Sequence, residues 1–287
     1  MSLIISGKMN TNRTFYDFDV LKSYLDQFFS GKKIGLVPTM GALHVGHISL
    51  VERAVKENDF VIVTIFVNPK QFNNSSDLQS YPRTIERDIE LLTPFENIAV
   101  CVPNENSVYP KPDPYVNIDL GRLNQVLEGR YRPGHFEGVS HVVHNLFYFI
   151  NPSSAYFGLK DIQQFAVIHK MNKSIGMNVE LIGCPTIRND KGLALSSRNE
   201  NLSADGLHQA LIIIKTLRFI QKNKKFYSPQ ELKGKAVEFF NSGKLKLEYL
   251  EIVNAETFQQ IESFEEPSTC CIAAYCENIR LIDNVLL

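Results

Sequence analysis

Ile34-Gly35-Leu36-Val37-Pro38-Thr39-Met40-Gly41-Ala42-Leu43-His44-Val45-Gly46-His47 reads as an apolar strand, a glycine-bearing turn and the start of a helix. The helix is signalled by the amphipathic run that follows, Leu50, Val51, Ala54 and Val55. A strand that feeds a helix through a glycine turn suits a nucleotide triphosphate. Glycine lets the backbone approach phosphates, and a helix N-terminus offers unpaired N–H groups and the positive end of a dipole. His44 and His47 are three residues apart, so on a helix they share one face and can reach the same phosphate. The stretch therefore points to chemistry at a phosphoryl centre.

Working outward, short apolar runs alternate with helical patterns through the first two thirds of the chain. Strands are expected over 34–37, 60–67, 98–102 and 179–183, and helices over 18–29, 48–57, 84–92, 139–150 and 161–175. Such alternation implies βαβ units around a mainly parallel sheet, an α/β class. The run 60–67 is apolar on both faces, as suits a central strand covered by helices on both sides. After about residue 185 the pattern changes. Leu207, Leu211, Ile214 and Leu217 repeat at helical spacing, and Ser228-Pro229-Gln230-Glu231 is a strong helix start. Strand-like runs follow over 247–253 and 270–275. Two domains are expected, 1–184 and a smaller α+β domain over 185–287, with the proline-rich stretch 103–114 a loop on the first.

Composition excludes several classes. With 30 basic and 31 acidic residues in 287, the net charge is −1, which argues against nucleic acid as the main partner. The five cysteines, Cys101, Cys184, Cys270, Cys271 and Cys276, form no Cys-x-x-Cys pair and read as reduced thiols of a cytoplasmic protein. Residues 1–7 are too short and too weakly charged for a signal peptide, and no apolar run approaches the ~20 residues of a membrane span.

Other segments carry chemistry beside a blander reading. Asn68-Pro69-Lys70-Gln71 follows the apolar run 60–67, where ligands of open α/β sheets bind, and the Gln71 amide can both donate and accept; Asn-Pro is also simply a turn. Arg132-Pro133-Gly134-His135-Phe136-Glu137-Gly138-Val139 reads equally as a rigid site loop or a structural turn. His141 and His144 sit in a helix-like apolar run, which favours packing or surface placement over metal binding. In Gly158-Leu159-Lys160-Asp161, Lys160 offers a point charge to phosphate, and Asp161 caps a helix or accepts from a ribose hydroxyl. In Leu195-Ser196-Ser197-Arg198, two hydroxyls and a guanidinium can hold phosphate oxygens and neutralise leaving pyrophosphate, unless this is only a polar loop.

Taken together, these segments, with Tyr81-Pro82-Arg83 and Arg280-Leu281-Ile282-Asp283-Asn284, resemble the pantothenate synthetase (pantoate–β-alanine ligase) family, in that family's order from about residue 15 to the end. The His-x-Gly-His element alone indicates only the wider nucleotidyltransferase group. The resemblance implies a Rossmann-like N-terminal domain, a smaller C-terminal lid domain, a homodimer, and a two-step reaction. ATP and (R)-pantoate give pantoyl adenylate and pyrophosphate with Mg²⁺; the β-alanine amine then gives pantothenate and AMP. It implies that Met40, Gly41, Ala42, Leu43, His44, Val45, Gly46 and His47 line the ATP site, with His47 the better proton donor. Gly158, Leu159, Lys160 and Asp161 contact adenosine and phosphate, Ile187 lies near adenine, and Leu195, Ser196, Ser197 and Arg198 close over the phosphates. His44, His47, Lys160 and Arg198 carry the chemistry. Gln71 and Gln164 bind pantoate, and Gln71 also meets β-alanine. For the metal only Asp88 suggests itself. Leu159, Ile162 and Ser76 depart from the family's usual glutamate, aromatic residue and glutamate. The alternatives are another His-x-Gly-His nucleotidyltransferase and a catalytically inactive nucleotide-binding protein.

Overall fold

The computed structural model describes residues 13–287, so the reading of residues 1–7 lies outside the described residues. Six strands form one sheet: β1 (Arg13–Phe15), β2 (Ile34–Thr39), β3 (Phe60–Ile65), β4 (Ile98–Cys101), β5 (Ser154–Gly158) and β6 (Glu180–Cys184). Their order is β1-β4-β3-β2-β5-β6, and every neighbouring pair is parallel. The chain moves outward from β2 through β3 on one side and through β5 on the other. The order reverses at that point, and a crevice opens at the carboxyl ends of β2 and β5.

The period-2 alternation of the strands decides which helices cover which face. Phe60 and Ile62 of β3, with Leu36 and Phe157, pack against helices Phe18–Phe28, His135–Ile150 and Ile162–Ser174. Val61, Val63 and Ile65, with Val37 and Tyr156, pack against helices Val45–Glu57 and Ile85–Leu92. Both faces of the sheet are covered, as the unbroken apolar run of β3 requires.

A second, antiparallel sheet of β7 (Lys246–Asn254), β8 (Ser268–Cys276) and β9 (Ile279–Leu286) shares its own core with helices Leu211–Asn223 and Pro229–Asn241. Ser228 and Glu231 form the reciprocal cap read from the sequence. The helical repeat from Leu207 is two helices, Ala204–Gln209 and Leu211–Asn223.

Three strands lie outside the expected ranges: β5 (Ser154–Gly158), a short run with one polar residue, Ser154, at its start; β1; and β9. β1 is only three residues, Arg-Thr-Phe, too short to show a period. In β9, buried Asp283 and Asn284 interrupt the apolar alternation because both bind the rest of the chain. Asp283 takes both guanidinium nitrogens of Arg188, at 2.6 and 2.9 Å, and the Asn284 amide donates to the carbonyls of Leu159 and Lys160, each at 2.8 Å. Nearby, Arg280 makes a bidentate pair with Glu128 at 2.7 Å on each arm, and the Tyr249 hydroxyl donates to the same carboxylate at 2.6 Å. The small sheet is thus bolted to the segments that follow β5 and β6 and to helix Leu127–Tyr131, which holds Glu128.

Candidate active site

The turn after β2 is held from below. Gly41 and Ala42 have φ of +81° and +49°, and a Cβ on Gly41 would lie 3.0 Å from both the Asp88 carboxylate and Ile65. Asp88 is fully buried. It accepts from the Ala42 N–H at 2.9 Å, the Leu43 N–H at 2.7 Å and the Thr84 hydroxyl at 3.2 Å. Three donors occupy this carboxylate, so the reading of Asp88 as a metal ligand is corrected: it positions the turn. The same bonds take the Ala42 and Leu43 N–H groups away from any ligand. Gly41, Ala42, Leu43, Val45 and Leu159 do not line the cavity. Ala42 and Leu43 face the core, Val45 is two-thirds exposed, and Leu159 packs against Gly183.

His44 is the N-cap of helix Val45–Glu57 rather than a residue within it, and His47 stands in the first turn. Their rings lie 4.1 Å apart. The Gly46 N–H donates to His44 Nδ1 at 3.1 Å, and the His44 N–H donates to His47 Nδ1 at 3.3 Å. Each Nδ1 therefore holds a lone pair, and each neutral ring carries its proton on Nε2. Burial, then Lys160, lowers the His44 pKa to about 4; burial, then His44 and Lys160, lowers that of His47 to about 3. At neutral pH the pair consists of two neutral N–H donors at a helix N-terminus.

The cavity at the strand crevice collects the remaining residues. Met40, His44, Gly46 and His47 come from the segment after β2 and Gln71 from that after β3. Gly158 ends β5, Lys160, Asp161 and Gln164 follow it, and Ile187, Leu195, Ser196, Ser197 and Arg198 follow β6. Its apolar wall includes Pro38, Phe66, Val139, Val142 and Val143. Asp161 precedes helix Ile162–Ser174 but makes no capping bond; its carboxylate meets Lys160 at 3.2 Å. Ser197 donates to the Ala42 carbonyl at 3.0 Å, and Arg198 meets Asp77 at 2.9 Å. Gln163, beside Gln164, is structural: it binds the Leu123 and Val126 carbonyls and the Glu128 N–H.

Sequence reasoning left several lining residues without a role. Asn68 is buried and donates to Gln71 Oε1 at 3.0 Å and to the Gly138 carbonyl at 3.1 Å. The Gln71 oxygen is thereby occupied, and its amide nitrogen, which meets only the weakly accepting Met40 sulfur at 3.0 Å, is left to donate to a ligand. The segment 132–139 is no loop: helix His135–Ile150 starts within it. Its second glycine has a packing reason, since a Cβ on Gly138 would lie 2.3 Å from the Lys70 carbonyl. His135, buried, meets the Gln71 carbonyl through Nδ1 at 2.8 Å and Arg132 through Nε2 at 3.1 Å. An arginine donates only, so the His135 proton sits on Nδ1 and goes to Gln71. The polar residue directly after an apolar strand was the available signal for Asn68; the glycines around His135-Phe136 marked that segment as a candidate site loop, but nothing local gave His135 its role. His141 meets Asp113 at 2.7 Å outside this cavity.

Among the described residues no group of three or more His, Cys, Asp or Glu side chains could hold a metal ion. The donor set favours an anionic ligand: neutral donors at one end, and Lys160, Arg198 and Arg132 around the rest.

The pantoate-beta-alanine ligase family model matches residues 13–286. The chain is 48% identical over 272 residues to the pantothenate synthetase of Phocaeicola vulgatus, covering 92% of this chain and 95% of that one. It is 45% identical over 258 residues to that of Porphyromonas gingivalis, covering 89% and 92%. Its fold is similar to the pantothenate synthetase of Thermus thermophilus, with TM-score 0.88, 37% identity and coverage of 95% and 98%. It is also similar to the pantoate-beta-alanine ligase of Francisella tularensis complexed with beta-gamma ATP and beta-alanine, with TM-score 0.79, 35% identity and coverage of 96% and 98%.

Proposed function

We propose, for a chain that belongs to the pantoate–β-alanine ligase family, that the cavity between β2 and β5 forms pantothenate from ATP, pantoate and β-alanine through a bound pantoyl adenylate. The observation that carries this reading is the convergence of His44, His47, Gln71, Lys160, Gln164 and Arg198, from four separate strand ends, on one cavity. The two broader alternatives lose ground to a family match over residues 13–286.

A carboxylate cannot acylate an amine directly, because oxide would have to leave. In the first step a pantoate carboxylate oxygen attacks the α-phosphorus of ATP, a P–O bond forms, and the bond to pyrophosphate breaks. Such in-line transfer needs positioning and charge neutralisation more than covalent catalysis. His44 and His47 supply preorganised neutral donors to the phosphoryl oxygens, which sharpens the acid role expected for His47 into hydrogen-bond stabilisation. Lys160, Ser196, Ser197 and Arg198 neutralise the leaving pyrophosphate. The Gln71 and Gln164 amides hold pantoate's carboxylate and hydroxyls, while Pro38, Phe66 and Val139 take its two methyl groups. In the second step the ammonium of β-alanine gives a proton to solvent, the amine nitrogen attacks the acyl carbon, the bond to AMP breaks, and the nitrogen loses its second proton to solvent.

The protein's own donor set does not fit a protein-held divalent ion, so in this reading Mg²⁺ belongs to the triphosphate rather than to a cage of side chains. Residues 185–287 act as the lid, contributing residues that include Ile187, Leu195, Ser196, Ser197 and Arg198; the rest of the site comes from residues 1–184. A homodimer is part of the reading; Val116 and Tyr148, 61% and 57% exposed, are among the apolar side chains a second copy could cover. Five buried, unpaired cysteines suit the cytoplasm.

With ATP and pantoate alone, the enzyme should release pyrophosphate only up to about one equivalent per site, and β-alanine should then release AMP and amide. Steady pyrophosphate release without pantoate would contradict the reading.

A further inference from the structure

Three cations line the cavity, and each meets a carboxylate: Lys160 with Asp161 at 3.2 Å, Arg198 with Asp77 at 2.9 Å and, most loosely, Arg132 with Glu128 at 3.6 Å. Arg132 is different. Its side chain is only 15% exposed, and its one hydrogen bond runs from Nη1 to His135 Nε2 at 3.1 Å. The nearest carboxylate, Glu128, lies 3.6 Å away and is already saturated by Arg280 and the Tyr249 hydroxyl. Nε and Nη2 of Arg132 have no partner among the described residues. A largely buried guanidinium with unused donors is costly in an empty site and is offset when an anion binds. The charges around it are mixed: Glu128 and Asp77 are negative, Arg198 and Arg280 positive.

We propose that Arg132 binds the carboxylate of the amine substrate and so selects a β-amino acid over a simple amine. This rests on the reading of the cavity as the site of amide formation. The second substrate is a zwitterion whose ammonium end becomes the nucleophile, and no residue given a role above takes its carboxylate. Arg132 is two hydrogen bonds from Gln71, through His135 Nδ1 on the Gln71 carbonyl at 2.8 Å. It also lines the cleft that leads from the cavity to the small sheet. A carboxylate gripped by the planar fork leaves the amine a two-carbon reach toward an acyl group held at Gln71.

The test compares β-alanine with ethylamine, the same chain without its carboxylate, on enzyme preloaded with ATP and pantoate. A site built around a substrate's charged group rejects the analogue lacking it by about 10³-fold or more. In Arg132→Gln that preference should fall by about 100-fold, through loss of the β-alanine rate, with the ethylamine rate moving little; Arg132→Lys should regain part of it. Equal slowing of both amines, preference intact, would overturn the assignment and make Arg132 a support for His135 and Gln71. Failure of both variants to release pyrophosphate would also overturn it, by moving Arg132 into the first step. Failure of the wild-type chain to do so would instead refute the underlying reading of the cavity.

Discussion

His47→Ala should fold and yet lose adenylation by about 10²–10³-fold, the cost of removing one preorganised donor to a developing charge. His47 Nε2–H is held in place by the His44 N–H on Nδ1, inside the first turn of a helix whose remaining surface packs normally. Losing that cap costs about 0.5–2 kcal/mol, too little to unfold a domain of this size. Two readouts separate a neutral donor from an acid. His47→Gln keeps an N–H donor and should regain part of the rate, and the wild-type rate of pantoate-dependent pyrophosphate formation should carry no step from His47 between about pH 6 and 8. In the free enzyme burial, His44 and Lys160 hold this imidazole neutral down to about pH 3. A glutamine variant as dead as alanine, with a rate that falls as pH rises through neutrality, would restore the acid role.

Arg280→Ala should cost about 3–5 kcal/mol of stability, the penalty for stranding a buried charge. Glu128 is 7% exposed and has Arg280 as its only bidentate partner; without it the carboxylate keeps the Tyr249 hydroxyl and a distant Arg132. Burial opposes ionisation of Glu128, but the Arg280 hydrogen bonds and charge outweigh it and hold the pKa at about 2. A depressed carboxyl pKa stabilises the fold above the ordinary value of 4.5, and the effect is lost as pH falls toward 2. The deficit of the variant, measured by denaturant unfolding, should therefore be full at pH 7 and shrink on acidification below about 4.5. A loss under 1 kcal/mol at pH 7 would show that the small sheet does not depend on this bolt. Because the stranded Glu128 would draw Arg132 toward itself, β-alanine should also bind more weakly in this variant.

The sheet and its ligand crevice were legible because each rests on local signals. β3 is apolar on both faces, and the turn from Thr39 to His44 carries its glycine between a strand and a helix. Helix Pro229–Asn241 announces itself through Ser228 and Glu231. What the sequence hid depends on contacts distant in the chain. Asp88 looked like a free acid near a phosphate site, yet it lies 46 residues from the Ala42 N–H it accepts from. Asn284 and Asp283 made β9 look irregular because they serve Lys160 and Arg188, not a sheet face. Gly134 and Gly138 suggested a loop. Only the former is a turn, with φ of +82°; the latter is a helical glycine made necessary by the backbone of Lys70. His135 and Arg132, which tie the small sheet to Gln71, carry no periodic signal at all.

Pantoate labelled with oxygen-18 in its carboxylate tests the adenylate most directly. If the carboxylate attacks the α-phosphorus, one labelled oxygen crosses into AMP when β-alanine is added, and pyrophosphate stays unlabelled. Unlabelled AMP formed alongside pantothenate, or label in pyrophosphate, would contradict a reaction through pantoyl adenylate in the cavity of His44, His47 and Lys160.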